Sequence, residues 1–319
     1  MTLDTETATL PFANEICKNA KQKQNVAIAK PLVYDIGWTI SDRPGNILRK
    51  ENFLVQETFF VPNVFNTAYY KEKRPIYMDL LSRGLITVKT WNDIIEILLN
   101  DLRGVDISTA YNAAFDFKKA IPFTEKYISH LYSTDYNEWE YMQRKQCETI
   151  ANGIKTDAKN EDFLKPIFNL RGEEFPITDL WNIACKKLIN IDKYRNYCLK
   201  NKYLTASAQY FKSSAETTFQ YLMNQYDFTE EHTALSDAEI ETAILTKALK
   251  KGKVIPEMEA FPFRELGTTY NYVMEKQPKY IDIVIDALCY YLQEYSGSEN
   301  YKRKVETLIA NLRRFKEEM

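Results

Sequence analysis

The chain has 319 residues, 45% of them apolar and 27% charged, and a mean hydropathy of −0.43, which together exclude a disulfide-stapled miniprotein, a disordered chain and a membrane-embedded one. Forty-two Lys and Arg against 44 Asp and Glu leave a net charge of −2. No global positive field therefore exists for unselective duplex binding, and any nucleic-acid contact has to be local.

Residues 1–30 carry Lys18, Lys21, Lys23 and Lys30 without a sustained apolar period and are expected to form an N-terminal tail without chemistry. No basic start with an apolar run suggests export, and no apolar run is long enough to span a membrane. Leu32-Val33-Tyr34-Asp35-Ile36 and Trp38-Thr39-Ile40, then Asp42-Arg43-Pro44-Gly45-Asn46, then Ile47-Leu48 and Phe53-Leu54-Val55 predict strand, turn, strand, with the Asp35 carboxylate where hydrophobes are expected. Trp91, Ile94, Ile95, Leu98, Leu99 and Leu102 keep helical spacing, closed by Gly104. Val105 to Tyr111 reads as a short strand and Phe115 onward as another helix. Strand, crossover helix and strand imply a mixed sheet with helices on at least one face. Residues 122–175 read as a largely helical insertion, followed by helices through Leu180, Trp181, Ala184, Cys185 and Leu188 and over 214–225. Ser236-Asp237-Ala238-Glu239 has the pattern of a capping box, opening a helix lined by Ile240, Ile244 and Ala248 and ended by Lys247, Lys250, Lys251 and Gly252. After Pro256 a linker leads to helices near 279–295 and 299–318, so 254–319 is expected to be a helical C-terminal extension. The five cysteines and two histidines show no zinc-ligand spacing, and the odd thiol count fits a reducing cytoplasm.

Three acids occupy unusual places. Asp35 interrupts an apolar strand, Asp116 follows Ala110-Tyr111-Asn112-Ala113-Ala114-Phe115, and Asp237 lies in a first helical turn, five residues after His232. Singly, each reads as a turn or cap residue. Buried together they would need a cation between them, and oxygen ligands favour Mg²⁺ or Mn²⁺.

Tyr34-Asp35-Ile36, Asn112-Ala113-Ala114-Phe115-Asp116 and His232-Thr233-Ala234-Leu235-Ser236-Asp237-Ala238 resemble the three motifs of the DEDDh superfamily of 3'-5' exonucleases, the last two at every defined position. The resemblance covers roughly residues 31–250. It implies an exonuclease-like domain over 31–253 with a ribonuclease H-like α/β fold, a mixed sheet flanked by helices. It further implies two divalent ions about 3.5–4 Å apart held by Asp35, Asp116 and Asp237, with His232 as the general base that takes a proton from the attacking water. The family's first motif is Asp-x-Glu, whereas this chain reads Asp35-Ile36-Gly37. One carboxylate is then missing and a weakened enzyme is expected, unless Glu57 or Asp42 replaces it or the space beside Gly37 admits a water or substrate oxygen. Trp38 and Tyr111 are candidates to stack on a terminal base, beside Asn112 and Phe115 of the second motif. Lys118-Lys119, Lys250-Lys251 and Arg313-Arg314 read as solvated faces or backbone grips. The expected substrate is a single-stranded DNA or RNA end, with protein contacts or self-association through the C-terminal helices. The alternative is a degenerate nuclease fold serving as a nucleic-acid-binding or protein-interaction module.

Overall fold

In the computed structural model, which describes residues 1–319 except 44, 154–164, 190, 206, 208, 250–266, 296–298 and 319, the N-terminal residues are not a tail. Thr2–Ala8 forms strand β1 in the middle of a seven-stranded sheet, and Ala20–Ala29 forms helix α1, started by the Asn19 side chain accepting the Gln22 N–H. Strands β2 (Leu32–Ser41), β3 (Ile47–Val55), β4 (Thr87–Lys89), β5 (Ser108–Ala110), β6 (Ile167–Leu170) and β7 (Glu173–Asp179) complete the sheet in the order β4-β3-β2-β1-β5-β7-β6. β1 pairs antiparallel with β2 and parallel with β5, and β7 extends the parallel side. This is an α/β fold with a mixed sheet flanked by helices, consistent with a ribonuclease H-like architecture.

The helices beside the sheet are α2 (Arg74–Ser82), α3 (Trp91–Arg103), α4 (Ile121–Leu131), α5 (Tyr136–Ala151) and α6 (Ala234–Ala248). α3 forms where its apolar spacing predicts it, with the Thr90 hydroxyl accepting the Asp93 N–H at its start. Among its described residues, the expected helical insertion over 122–175 is helical through α4 and α5. Its C-terminal part supplies β6 and the start of β7, which belong to the sheet.

The period-two alternation of strands sorts the side chains. Asp4 stands opposite Gly37 and Glu6 opposite Asp35, so these four share one face with Thr2 and Thr39. α6 covers that face: Thr39 and Thr242 hydroxyls meet at 2.6 Å, and the backbone of Leu235 lies against Gly37. Trp38 points to the other face, where its indole N–H donates to Asp101 of α3 at 2.9 Å. Between Glu6 and Thr7 the β1–β2 register slips by one residue, with Tyr34 the extra residue on β2. Such bulges re-aim neighbouring side chains.

The chain divides into two units, Met1–Leu180 with Thr229–Met258 and Trp181–Phe228 with Glu259–Met319. The expected boundaries at 30 and 253 are therefore displaced. The second unit has its own core, in which Tyr194, Cys198, Leu199 and Phe211 pack with Val273, Val284, Leu288, Val305, Ile309 and Leu312. Its helices include Ile281–Glu294 and Glu299–Glu318, near their predicted spans, and they share a core with residues 181–228 instead of forming a separate extension. Lys250, Lys251, Gly252, Pro256 and the linker after it lie outside the described residues. Among the described residues no helix is long and apolar enough to cross a membrane.

Candidate carboxylate and histidine site

The acids of the first unit converge from three distant segments. β1 brings Asp4 and Glu6, both on the face beneath α6. Asp237 and Glu241 sit one turn apart on α6, so they lie on one side of it. Asp116 follows a single turn after β5 and opens a π turn, Asp116–Ala120, against the edge of β1. Its Oδ1 accepts the Thr5 hydroxyl at 2.6 Å, which fixes the second motif beside β1.

The chain also reads Asp4-Thr5-Glu6 on β1, the same Asp-x-Glu spacing that Asp35-Ile36-Gly37 lacks. The two strands are neighbours and both carry an acid on the same face, and Thr5 of β1 bonds Asp116. A Cβ at Gly37 would lie 2.4 Å from the Leu235 backbone nitrogen, so no larger residue fits between β2 and α6. Asp35, expected to hold a metal, is fully buried: its Oδ2 accepts the Ala234 N–H at 2.8 Å and the Tyr77 hydroxyl at 3.0 Å, while its Oδ1 has no hydrogen-bond partner and its charge acts on Glu6. Asp35, Asp116 and Asp237 do not bring ligand atoms together, whereas Glu6, His232 and Asp237 place one each within 4.8 Å of one another.

The other expected replacements are also occupied. The buried Glu57 carboxylate accepts the Trp91 N–H at 3.0 Å and so caps α3. Asp42 accepts from the Asn46 N–H and side-chain amide in the exposed hairpin turn. Trp38 has no exposed surface and packs on Phe53, so it cannot stack on a base. Tyr111 stays at the site edge, where its N–H donates to Glu241 at 3.1 Å. Next to it, Asn112 is exposed and its carbonyl accepts the Phe115 N–H, while Phe115 packs half-buried against the core. The Ser236–Glu239 capping box is not formed. α6 starts three residues earlier, after Thr233, whose side chain makes no cap.

Charge is concentrated here. Burial and mutual repulsion push the carboxyls of Asp4, Glu6 and Glu241 well above the ordinary range. Burial lifts Asp35 and Asp116 to about 7, against hydrogen bonds that oppose it. Lys73 is a cation acting on Glu6, and its ammonium also donates to the Glu231 carbonyl. His232 has φ +52°, a left-handed backbone uncommon outside glycine. Its Nδ1 is 3.5 Å from Glu230 Oε2 and 3.7 Å from Asp237 Oδ2, and its ring stacks on Tyr70 with centroids 4.4 Å apart.

The donor set fits a hard divalent cation. Its oxygens repel one another without one, and the buried Asp237 Oδ1 has no hydrogen-bond partner. Asp4, Glu6 and Glu241 were not anticipated, although Asp4-Thr5-Glu6 spells the first motif in a threonine-rich run and Glu241 lies one turn beyond Asp237. No family model matches the chain, and no curated protein or solved structure matches it either.

Proposed function

We propose that the protein is a divalent-metal-dependent exonuclease acting on single-stranded DNA or RNA ends, with 3'-5' polarity taken from the resemblance of its motifs. The observation that carries this reading is the gathering of Glu6 and Asp237 beside one imidazole, with Asp4 and Asp116 close enough to act on the same acids, from three segments more than a hundred residues apart. Mg²⁺ or Mn²⁺ would supply the positive charge that makes a bound water acidic and stabilises the departing oxygen of a phosphodiester. Glu6 and Asp237 would hold the cation nearest His232, and Asp4 and Asp116 a second one. His232 would accept the proton of the attacking water, with Glu230 and Asp237 steadying the imidazolium that results. The degenerate-module alternative rested on a missing glutamate, and Glu6 supplies one. A cytoplasmic setting belongs to the same proposal.

The test is shortening of 5'-labelled single-stranded DNA and RNA with Mn²⁺. Stepwise loss from the 3' end is expected, falling by about a hundredfold or more in His232→Ala and Asp116→Asn. Binding without shortening in the wild-type chain would favour the non-catalytic alternative.

A further inference from the structure

The backbone that carries His232 is gripped at consecutive groups by one short stretch of chain and one acid. Lys73 donates to the Glu231 carbonyl, the Tyr77 hydroxyl lies 3.4 Å from the His232 carbonyl, and Asp35 accepts the Ala234 N–H. The same Tyr77 hydroxyl donates to the same Asp35 oxygen, so tyrosine and aspartate act as one unit. Tyr70, seven residues before Tyr77 in the chain, stacks face-on against the imidazole at 14° between ring planes. Tyr77 is itself fully buried and fixed edge-on against Tyr34 and Phe59. No side chain of the 233–237 segment caps α6 locally, so Asp35 on the neighbouring strand does so from outside. A histidine held at φ +52° persists only where its surroundings over-determine it.

We infer that Tyr77 and Asp35 are positioning residues: they hold the His232–Ala234 backbone in its left-handed bend so that the imidazole stays stacked on Tyr70 and faces Glu6 and Asp237. This rests on the reading of His232 as the proton acceptor only for its effect on turnover. The placement of the ring is measurable without any reaction.

The experiment follows both. With only His130 and His232 present, ring-labelled histidine gives two imidazole signals, assigned with a His130→Gln variant. His232 protons lie over the Tyr70 ring and are expected at ring-current-shifted positions. Tyr77→Phe keeps the aromatic packing and removes the hydroxyl. It should move the His232 signal toward solvent-exposed values and lower kcat by about tenfold or more with KM within about twofold and Mn²⁺ affinity by calorimetry unchanged. Asp35→Asn keeps an acceptor for Ala234 and should preserve the His232 signal and Mn²⁺ affinity, whereas Asp35→Leu should lose the signal. An unmoved His232 signal in both Tyr77→Phe and Asp35→Leu overturns the inference. Weaker Mn²⁺ binding in Asp35→Asn also overturns it, since Asp35 would then be a metal ligand. Should His232→Ala retain full turnover, the exonuclease mechanism falls while the spectra still decide the placement of the ring.

Discussion

Gly37 shows how one atom sets a boundary between strand and helix. With a Cβ 2.4 Å from the Leu235 nitrogen, Gly37→Ala has to push α6 off β2, and overpacking of that kind costs about 1–3 kcal/mol. Urea denaturation should show that loss, together with weaker Mn²⁺ binding, because Asp237 and Glu241 ride on the displaced helix. The acids make a second residue-level prediction. Asp35 and Asp116 have ordinary values of 3.8 and are raised to about 7 in the folded chain, so the folded state binds more protons than the unfolded one between those values. Their stabilising contribution is complete below the unfolded value and is lost as pH rises through the folded one. In EDTA the urea midpoint should therefore fall between about pH 5 and pH 8. Saturating Mn²⁺ should flatten the part of that fall that belongs to Asp116, where the cation would take the place of the proton, and leave the part that belongs to Asp35. Glu6→Gln should raise metal-free stability near neutral pH and remove most of the Mn²⁺ response, as read by the same titrations.

At the scale of elements, the site is made by helix starts and one bulged strand pair. The first N–H of each of α3 and α6 donates to a distant carboxylate, Trp91 to Glu57 and Ala234 to Asp35, and in α3 the local Thr90 cap serves the Asp93 N–H instead. Glu57→Ala should cost about 1–2 kcal/mol by thermal unfolding while leaving Mn²⁺ affinity and the proposed nuclease activity unchanged. Lost Mn²⁺ affinity in that variant would return Glu57 to the list of possible ligands. α3, the strand pair β2–β3 and β5 were legible because their apolar residues keep one period throughout. β1 was not. Its inner face, Thr2, Asp4 and Glu6, carries the site, so the alternation that normally announces a strand is replaced by charge. β6 and β7 were hidden for a different reason: β6 has only four residues, β7 contains Pro176, which weakens a strand reading, and both follow two helices rich in aromatic and polar residues.

For the whole molecule, two cores in one chain predict two responses to metal. Unfolding followed by calorimetry should show the transition of the first unit rising on addition of Mn²⁺ and falling back with EDTA, by about 2.7 kcal/mol at a hundred times the dissociation constant. The transition of the second unit, whose core holds none of the candidate ligands, should stay in place. Local sequence determined the class of fold and most helices, and its short motifs singled out His232, Asp116 and Asp237 as candidates, because periodicity and short motifs are properties of neighbouring residues. Only the tertiary structure decided which acids complete the set. β1 and β2 both offer an aspartate on the same face, and which of the two reaches Asp116 depends on strand order, since pairing with β5 is formed by β1 alone. The close approach of α6 to Gly37 and the capture of Asp35 by the start of α6 settled the rest. Both arise from packing across about two hundred residues of sequence, where no local pattern can record them.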